Sequence, residues 1–175
     1  MSLILCGYKT CGKTTIAQAF STAYAWKFID TDDLVVEEYQ DGVATISEIH
    51  KRLGEFKFRL LERAALDRIN DYEYNIIATG GGTVIFTENL CRLEVMGAIV
   101  YLRLSEAELT SRLFALPAFP SFIDKQNPEK SIKQYLTSRT SQYEACANYI
   151  IDIDNMSVAQ VCSELHQIAK LEKLI

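Results

Sequence analysis

The chain has 175 residues, of which 49% are hydrophobic and 23% charged, and its formal net charge is −5 at pH 7. This is globular composition with length for one full core and too little for two, so residues 1–175 are expected to form a single domain. The acidic balance without a basic cluster argues against nucleic-acid binding, and the lack of any run of about 18 apolar residues argues against a membrane association, so anionic ligands must be met by a few placed cations.

The first element is an apolar run at residues 3–6, a buried strand leading into Gly7-Tyr8-Lys9-Thr10-Cys11-Gly12-Lys13-Thr14. These residues fit G-x-x-x-x-G-K-[ST], the phosphate-binding loop, and stand where that motif requires, between a strand and an amphipathic helix expected over 13–25. The stretch Thr10, Cys11, Gly12, Lys13, Thr14 and Thr15 is expected to wrap the phosphates of a nucleoside triphosphate, with the helix N-terminus aimed at the same anion. Lys13 is expected to reach the outer phosphates, and the Thr14 hydroxyl to ligate a magnesium ion bound to them. An ordinary glycine turn would not explain Lys13 and Thr14 together. Cys11 reads either as a thiol made reactive by Lys13 and the helix N-terminus or as a small residue filling the loop. The five cysteines (Cys6, Cys11, Cys91, Cys146, Cys162) show no metal-ligand spacing and read as reduced thiols of a cytosolic protein.

A second strand at 27–29 runs into Asp30-Thr31-Asp32, followed by a helix over 33–39. Carboxylates at i and i+2 of an extended segment point the same way, so one can hold a magnesium-bound water and the other a substrate hydroxyl. The alternative is that Asp32 simply caps the next helix. A long helix over 46–70 carries Arg59 and Glu62 one turn apart, a spacing that lets the carboxylate hold the guanidinium or makes an ordinary surface ion pair. The third strand, 75–78, ends at Thr79-Gly80-Gly81-Gly82. Three successive glycines raise the entropy of the unfolded chain, and close approach of a ligand to bare backbone is the functional reason for them.

Helix 88–96, strand 98–102 and helix 106–113 come next. Residues 114–127, with Pro117, Pro120 and no helical period, are expected to be a lid or binding loop, the alternative being a static crossover. A helix over 128–145 carries Arg139, a second guanidinium able to grip a carboxylate through paired N–H bonds. Strand 149–151 and helix 158–171 complete the chain, and 171–175 are expected to fray. His50 and His166 lie within helices with no second ligand spaced to either, and neither is assigned to catalysis. Short apolar strands alternating with helices specify a parallel sheet covered on both faces. Ligands then sit beyond the carboxyl ends of the strands, where Gly7, Asp30 and the triple glycine converge.

The phosphate loop, Asp30-Thr31-Asp32, Gly54-Glu55 with Phe58-Arg59, Gly80-Gly81-Gly82, and Arg139 with Tyr143 stand in the order found in shikimate kinases, and the resemblance covers nearly the whole chain. It implies an α/β fold of three layers: a five-stranded parallel sheet of order 2-3-1-4-5, helices on both faces and a mobile lid, as in nucleoside monophosphate kinases. It implies a cytosolic, monomeric enzyme that uses ATP and magnesium to phosphorylate the 3-hydroxyl of shikimate, an acid of aromatic amino-acid biosynthesis. By position, Lys13 and Asp32 match the catalytic pair, Asp32 binding the acid's hydroxyls, and Arg59 and Arg139 match the carboxylate ligands. Gly81 and Gly82 match backbone contacts to the substrate, and Thr14 and Asp30 match the magnesium site. Arg112 matches a residue packed on adenine, and the loop at 152–155 matches the opposite adenine wall. One departure stands out: the lid of this family carries an arginine, and residues 114–127 contain none. Lys9, inside the phosphate loop, is the expected replacement ahead of Lys125. The alternatives are a gluconate-type hydroxy-acid kinase and a catalytically weak nucleotide-binding relative.

Overall fold

Five parallel strands form one sheet in the order β2-β3-β1-β4-β5: β1 (Ser2–Cys6), β2 (Lys27–Asp30), β3 (Asn75–Ala78), β4 (Gly97–Arg103) and β5 (Tyr149–Asp152). The expected topology is therefore present. The computed structural model describes residues 1–42, 44–120 and 122–174; Ser121 of the expected lid and Ile175 of the expected fraying end lie outside the described residues. Every residue of β1 and β3 is buried, which only a sheet covered on both faces allows. The cover is made by α1 (Lys13–Tyr24), α2 (Thr31–Tyr39), α3 (Ile46–Asp67), α4 (Thr87–Met96), α5 (Glu106–Phe114), α6 (Pro128–Cys146) and α7 (Val158–Leu171).

The helix starts follow from short side chains. Thr45 with Glu48 and Ser157 with Gln160 form reciprocal capping boxes at α3 and α7, and Ser105 caps α5. Helix α1 differs. It starts after Gly12, which has a left-handed backbone (φ 94°), with neither a capping side chain nor an acidic residue in its first turn. Its first N–H groups are thus left for an outside anion.

The main core fills the space between sheet and helices. A smaller cluster of Val35, Ala44, Ile49, Phe58 and Ala65 lies between α2 and α3. The expected single helix over 46–70 is broken at Gly54, whose φ of 72° and ψ of 167° no helix contains. The chain end does not fray as far as Leu174, which is 8% exposed and donates its N–H to the Ala169 carbonyl at 2.8 Å.

Candidate active site

At the carboxyl edge of β1 the phosphate loop closes on itself. Lys13 is 9% exposed, and its ammonium donates to the carbonyls of Gly7 (2.9 Å) and Tyr8 (2.8 Å). Those two bonds hold a cation inside the loop. Thr10 sits at φ 71°, a left-handed conformation that is a genuine outlier for a β-branched residue, and its hydroxyl donates to the Lys9 carbonyl at 2.5 Å. Cys11 is 1% exposed, so the activated-thiol reading is corrected: the side chain fills the loop, and only its backbone can meet a phosphate. Tyr8 points its hydroxyl at the Leu136 carbonyl (2.6 Å) and Thr140 Oγ1 (2.7 Å) of α6.

The Asp30-Thr31-Asp32 segment is not extended as the alternation argument assumed, because α2 begins at Thr31. The cap is Asp30, not Asp32: Asp30 accepts from the Asp32 N–H at 3.0 Å and from the Thr14 hydroxyl at 2.9 Å. Thr14 and Asp30 thereby form an adjacent pair of hard oxygen donors, which suits magnesium held by a few protein oxygens together with substrate phosphates. Among the described residues no cluster of three His, Cys, Asp or Glu side chains offers an all-protein metal cage. Asp32 lies on the first turn of α2, and its carboxyl is pushed up to about 6 by burial, then by the charges of Asp30 and Glu62, with Lys13 and Lys9 pulling it back.

The three glycines end β3 and make room. A Cβ at Gly80 would meet Asp32 Oδ1 at 2.8 Å and Thr83 Oγ1 at 2.9 Å, and one at Gly82 would overlap the Arg59 guanidinium. None of the three has a left-handed backbone, so close approach of side chains, not turn geometry, accounts for them. The surface-pair reading of Arg59 and Glu62 does not hold. Arg59 is 8% and Glu62 2% exposed, and they meet at 2.5 Å. Glu62 also accepts from Thr83 Oγ1 (2.7 Å) and Asn89 Nδ2 (3.2 Å), partners the sequence did not single out. Burial pushes the Glu62 carboxyl above its ordinary range, while Arg59 and Thr83 pull it back. Arg139, on α6, donates to the Gly81 carbonyl at 3.1 Å and stands over the Tyr135 ring; the Tyr143 hydroxyl donates to the same carbonyl.

These groups share one cavity of about 660 Å³, bordered by Lys9, Lys13, Thr14, Thr15, Asp30, Asp32, Arg59, all three glycines and Arg139. Pro120 and Phe122 of the 114–127 segment border it too, so that segment lies over the site. Phe114 itself belongs to α5, while Leu116, Phe119 and Ile123 pack on the main core. Lys9 borders the cavity and Lys125 does not. Arg112 lies outside the lining, with one arm on the Thr10 carbonyl at 3.2 Å and Nε on Glu108 at 2.7 Å. In the 152–155 loop, Asp152 is occupied by Arg103 and Asp154 accepts from the Ser105 N–H. One lining residue went unassigned in the sequence: His50 borders the cavity. On a straight helix, nine positions at about 100° each put it opposite Arg59, and only the break at Gly54 turns both to one space. His166 stays structural, stacked on Tyr24 at 4.2 Å.

The family described as shikimate kinase matches residues 9–170. The shikimate kinase of Caldanaerobacter subterraneus subsp. tengcongensis is 32% identical over 164 residues, 94% of this chain and 93% of that protein. Among solved structures, the shikimate kinase of Bacteroides thetaiotaomicron superposes with a TM-score of 0.83 at 27% identity, covering 97% of this chain and 98% of that one. The shikimate kinase of Acinetobacter baumannii, solved in complex with shikimate, gives 0.82 at 25% identity, covering 99% and 95%.

Proposed function

The chain belongs to the shikimate kinase family, and on that premise we propose that it transfers the γ-phosphoryl group of ATP to the 3-hydroxyl of shikimate. The observation that carries this reading is the single cavity in which a phosphate loop faces two arginines and the Asp32 carboxyl, whose hold on a proton burial has strengthened. The loop N–H groups and Lys13 bind the nucleotide's phosphates and hold positive charge where negative charge develops in transfer. Arg59 and Arg139 grip the acid's carboxylate, and the backbone of Gly81 and Gly82 lets the ring approach. Asp32 then meets the ring hydroxyls. With a carboxyl held near 6 it is a stronger base than an ordinary aspartate, suited to orient the attacking hydroxyl and accept its proton.

Thr14 and Asp30 are the residues that would hold magnesium, which supplies charge neutralisation to the phosphates when bound. Lys9 takes the part of the absent lid arginine, as a point charge without the bidentate fork. The cavity is complete within one chain, which supports action as a monomer. All five cysteines are free, which supports a reducing, cytosolic setting. Among the described residues no helix is long and apolar enough to cross a membrane.

The test is a coupled ADP-release assay with shikimate, gluconate and a panel of other hydroxy acids. Turnover of shikimate with a kcat/KM well above that for every other acceptor is the expected result. Preference for gluconate, or nucleotide binding without turnover of any acceptor, overturns the assignment.

A further inference from the structure

The acceptor half of the cavity has an imidazole in its wall. His50 borders the same space as Asp32, Phe58 and Arg59. Its ring meets Phe58 edge-on, with centroids 4.9 Å apart, and its Nε2 lies 2.6 Å from Glu55 Oε2. The other oxygen of Glu55 accepts from Arg59 Nε at 2.8 Å. Burial pushes the Glu55 carboxyl up, but the bonds from His50 and Arg59 outweigh it and hold the group below the usual range. A carboxylate so held only accepts, so Nε2 is the nitrogen that carries a proton toward it. The ring is therefore oriented from two sides, and Nδ1 has no hydrogen-bond partner among the described residues.

We propose that His50 is an acceptor-contacting, specificity-determining residue: its imidazole, aligned by Glu55 and Phe58, hydrogen-bonds a ring hydroxyl of the polyhydroxylated acid whose carboxylate Arg59 and Arg139 hold. This deepens the kinase reading above and rests on it. Glu55 then ties the imidazole to the guanidinium that the buried Glu62 holds. The competing role is mechanical, since the His50–Glu55 bond also spans the break at Gly54 and would staple it.

The two roles separate in steady-state kinetics of His50→Ala and His50→Gln, run with shikimate and with analogues lacking its 4- or 5-hydroxyl, alongside thermal melts. His50→Ala is expected to raise the shikimate KM about fivefold or more, the worth of one ordinary hydrogen bond, with kcat and the ATP KM within about twofold. His50→Gln, which keeps a hydrogen-bonding tip, should recover part of the loss. With the analogue that lacks the contacted hydroxyl, wild type and His50→Ala should have the same KM. A loss of equal size for every acceptor, accompanied by a lowered Tm, assigns His50 to the staple and overturns the proposal, as does an unchanged shikimate KM. Wild-type enzyme that turns over none of the acceptors overturns the kinase reading itself; normal wild-type turnover with an insensitive His50 overturns this proposal alone.

Discussion

Replacing Glu62 with alanine tests whether Arg59, the arginine proposed to hold the acceptor, is fixed by a buried network. The carboxylate is 2% exposed and takes bonds from Arg59 (2.5 Å), Thr83 (2.7 Å) and Asn89 (3.2 Å). Removing one partner of a buried ion pair costs about 3–5 kcal/mol because the other charge is left uncompensated. Arg59 keeps Glu55, but that side chain is 63% exposed and its pairing is screened by solvent, so only a modest part of the loss is recovered and about 3 kcal/mol is expected. An exposed i, i+3 pair would be worth only about 0.2–0.5 kcal/mol. In a chain of this length about 3 kcal/mol lowers Tm by about 6–12 °C. Freed of Glu62, the guanidinium no longer stands fixed over Gly82, so the shikimate KM should rise at least about tenfold, or 1.4 kcal/mol, with little change in the ATP KM. Glu62→Gln, which keeps shape and most hydrogen bonds, should fall between. Thermal and urea melts on the same preparations used for kinetics supply both readouts. A Tm loss under about 2 °C, or equal rises in the two KM values, would refute the network.

Lys9→Ala should lower kcat at least about tenfold, or 1.4 kcal/mol, with the shikimate KM little changed, and Lys125→Ala should do less; the reverse order would mean that the lid supplies the charge. Gly82→Ala drives a methyl group into the Arg59 guanidinium and should raise the shikimate KM while sparing the ATP KM, whereas Gly97→Ala, whose methyl would strike the Ser2 backbone across β1 and β4, should destabilise the fold and be seen first in the melt. Thr10→Gly removes the left-handed penalty of about 1–2 kcal/mol at a cost of about 0.5–1 in unfolded-state entropy, so a small rise in Tm is expected and a fall contradicts the strain. Residues 114–127 should gain protection from hydrogen exchange when an ATP analogue and shikimate are added together; protection already high and unchanged by ligands would show a static crossover.

The strands were legible in the sequence because each is a short apolar run, four of them ending in Gly, Asp or Thr-Gly and the fourth strand in Arg103, and the observed ends fall within a residue of the expected ones. Lys13, Thr14, Asp30, Asp32, Arg59 and Arg139 were legible because their chemistry is local to a motif. What stayed hidden depended on a single backbone angle or on distant partners. Gly54 looked like one tolerated glycine in a helical pattern, and nothing local says that it takes φ 72°. Without that break, His50 cannot be brought beside Arg59. Thr83 and Asn89 carry no motif, and they reach Glu62 only through the fold of β3 and α4. The i, i+2 argument for Asp30 and Asp32 brought the right residues to the cavity for a wrong reason, since the helix already begins between them.

Helix α6 fastens both halves of the cavity to one rod. The phosphate loop hangs from it through Tyr8, and the triple-glycine turn through Arg139 and Tyr143 on the Gly81 carbonyl. The rod starts at Pro128, downstream of the 114–127 segment, and its anchoring contacts lie along residues 136–143. Covering the site and building its floor are thus tasks of separate stretches of chain. A substitution between Ala115 and Asn127 can change how the cavity is covered, or which cation covers it, while both floors stay in register. The arginine expected from the resemblance to shikimate kinases is absent from that stretch, and its absence leaves every anchoring contact of α6 in place.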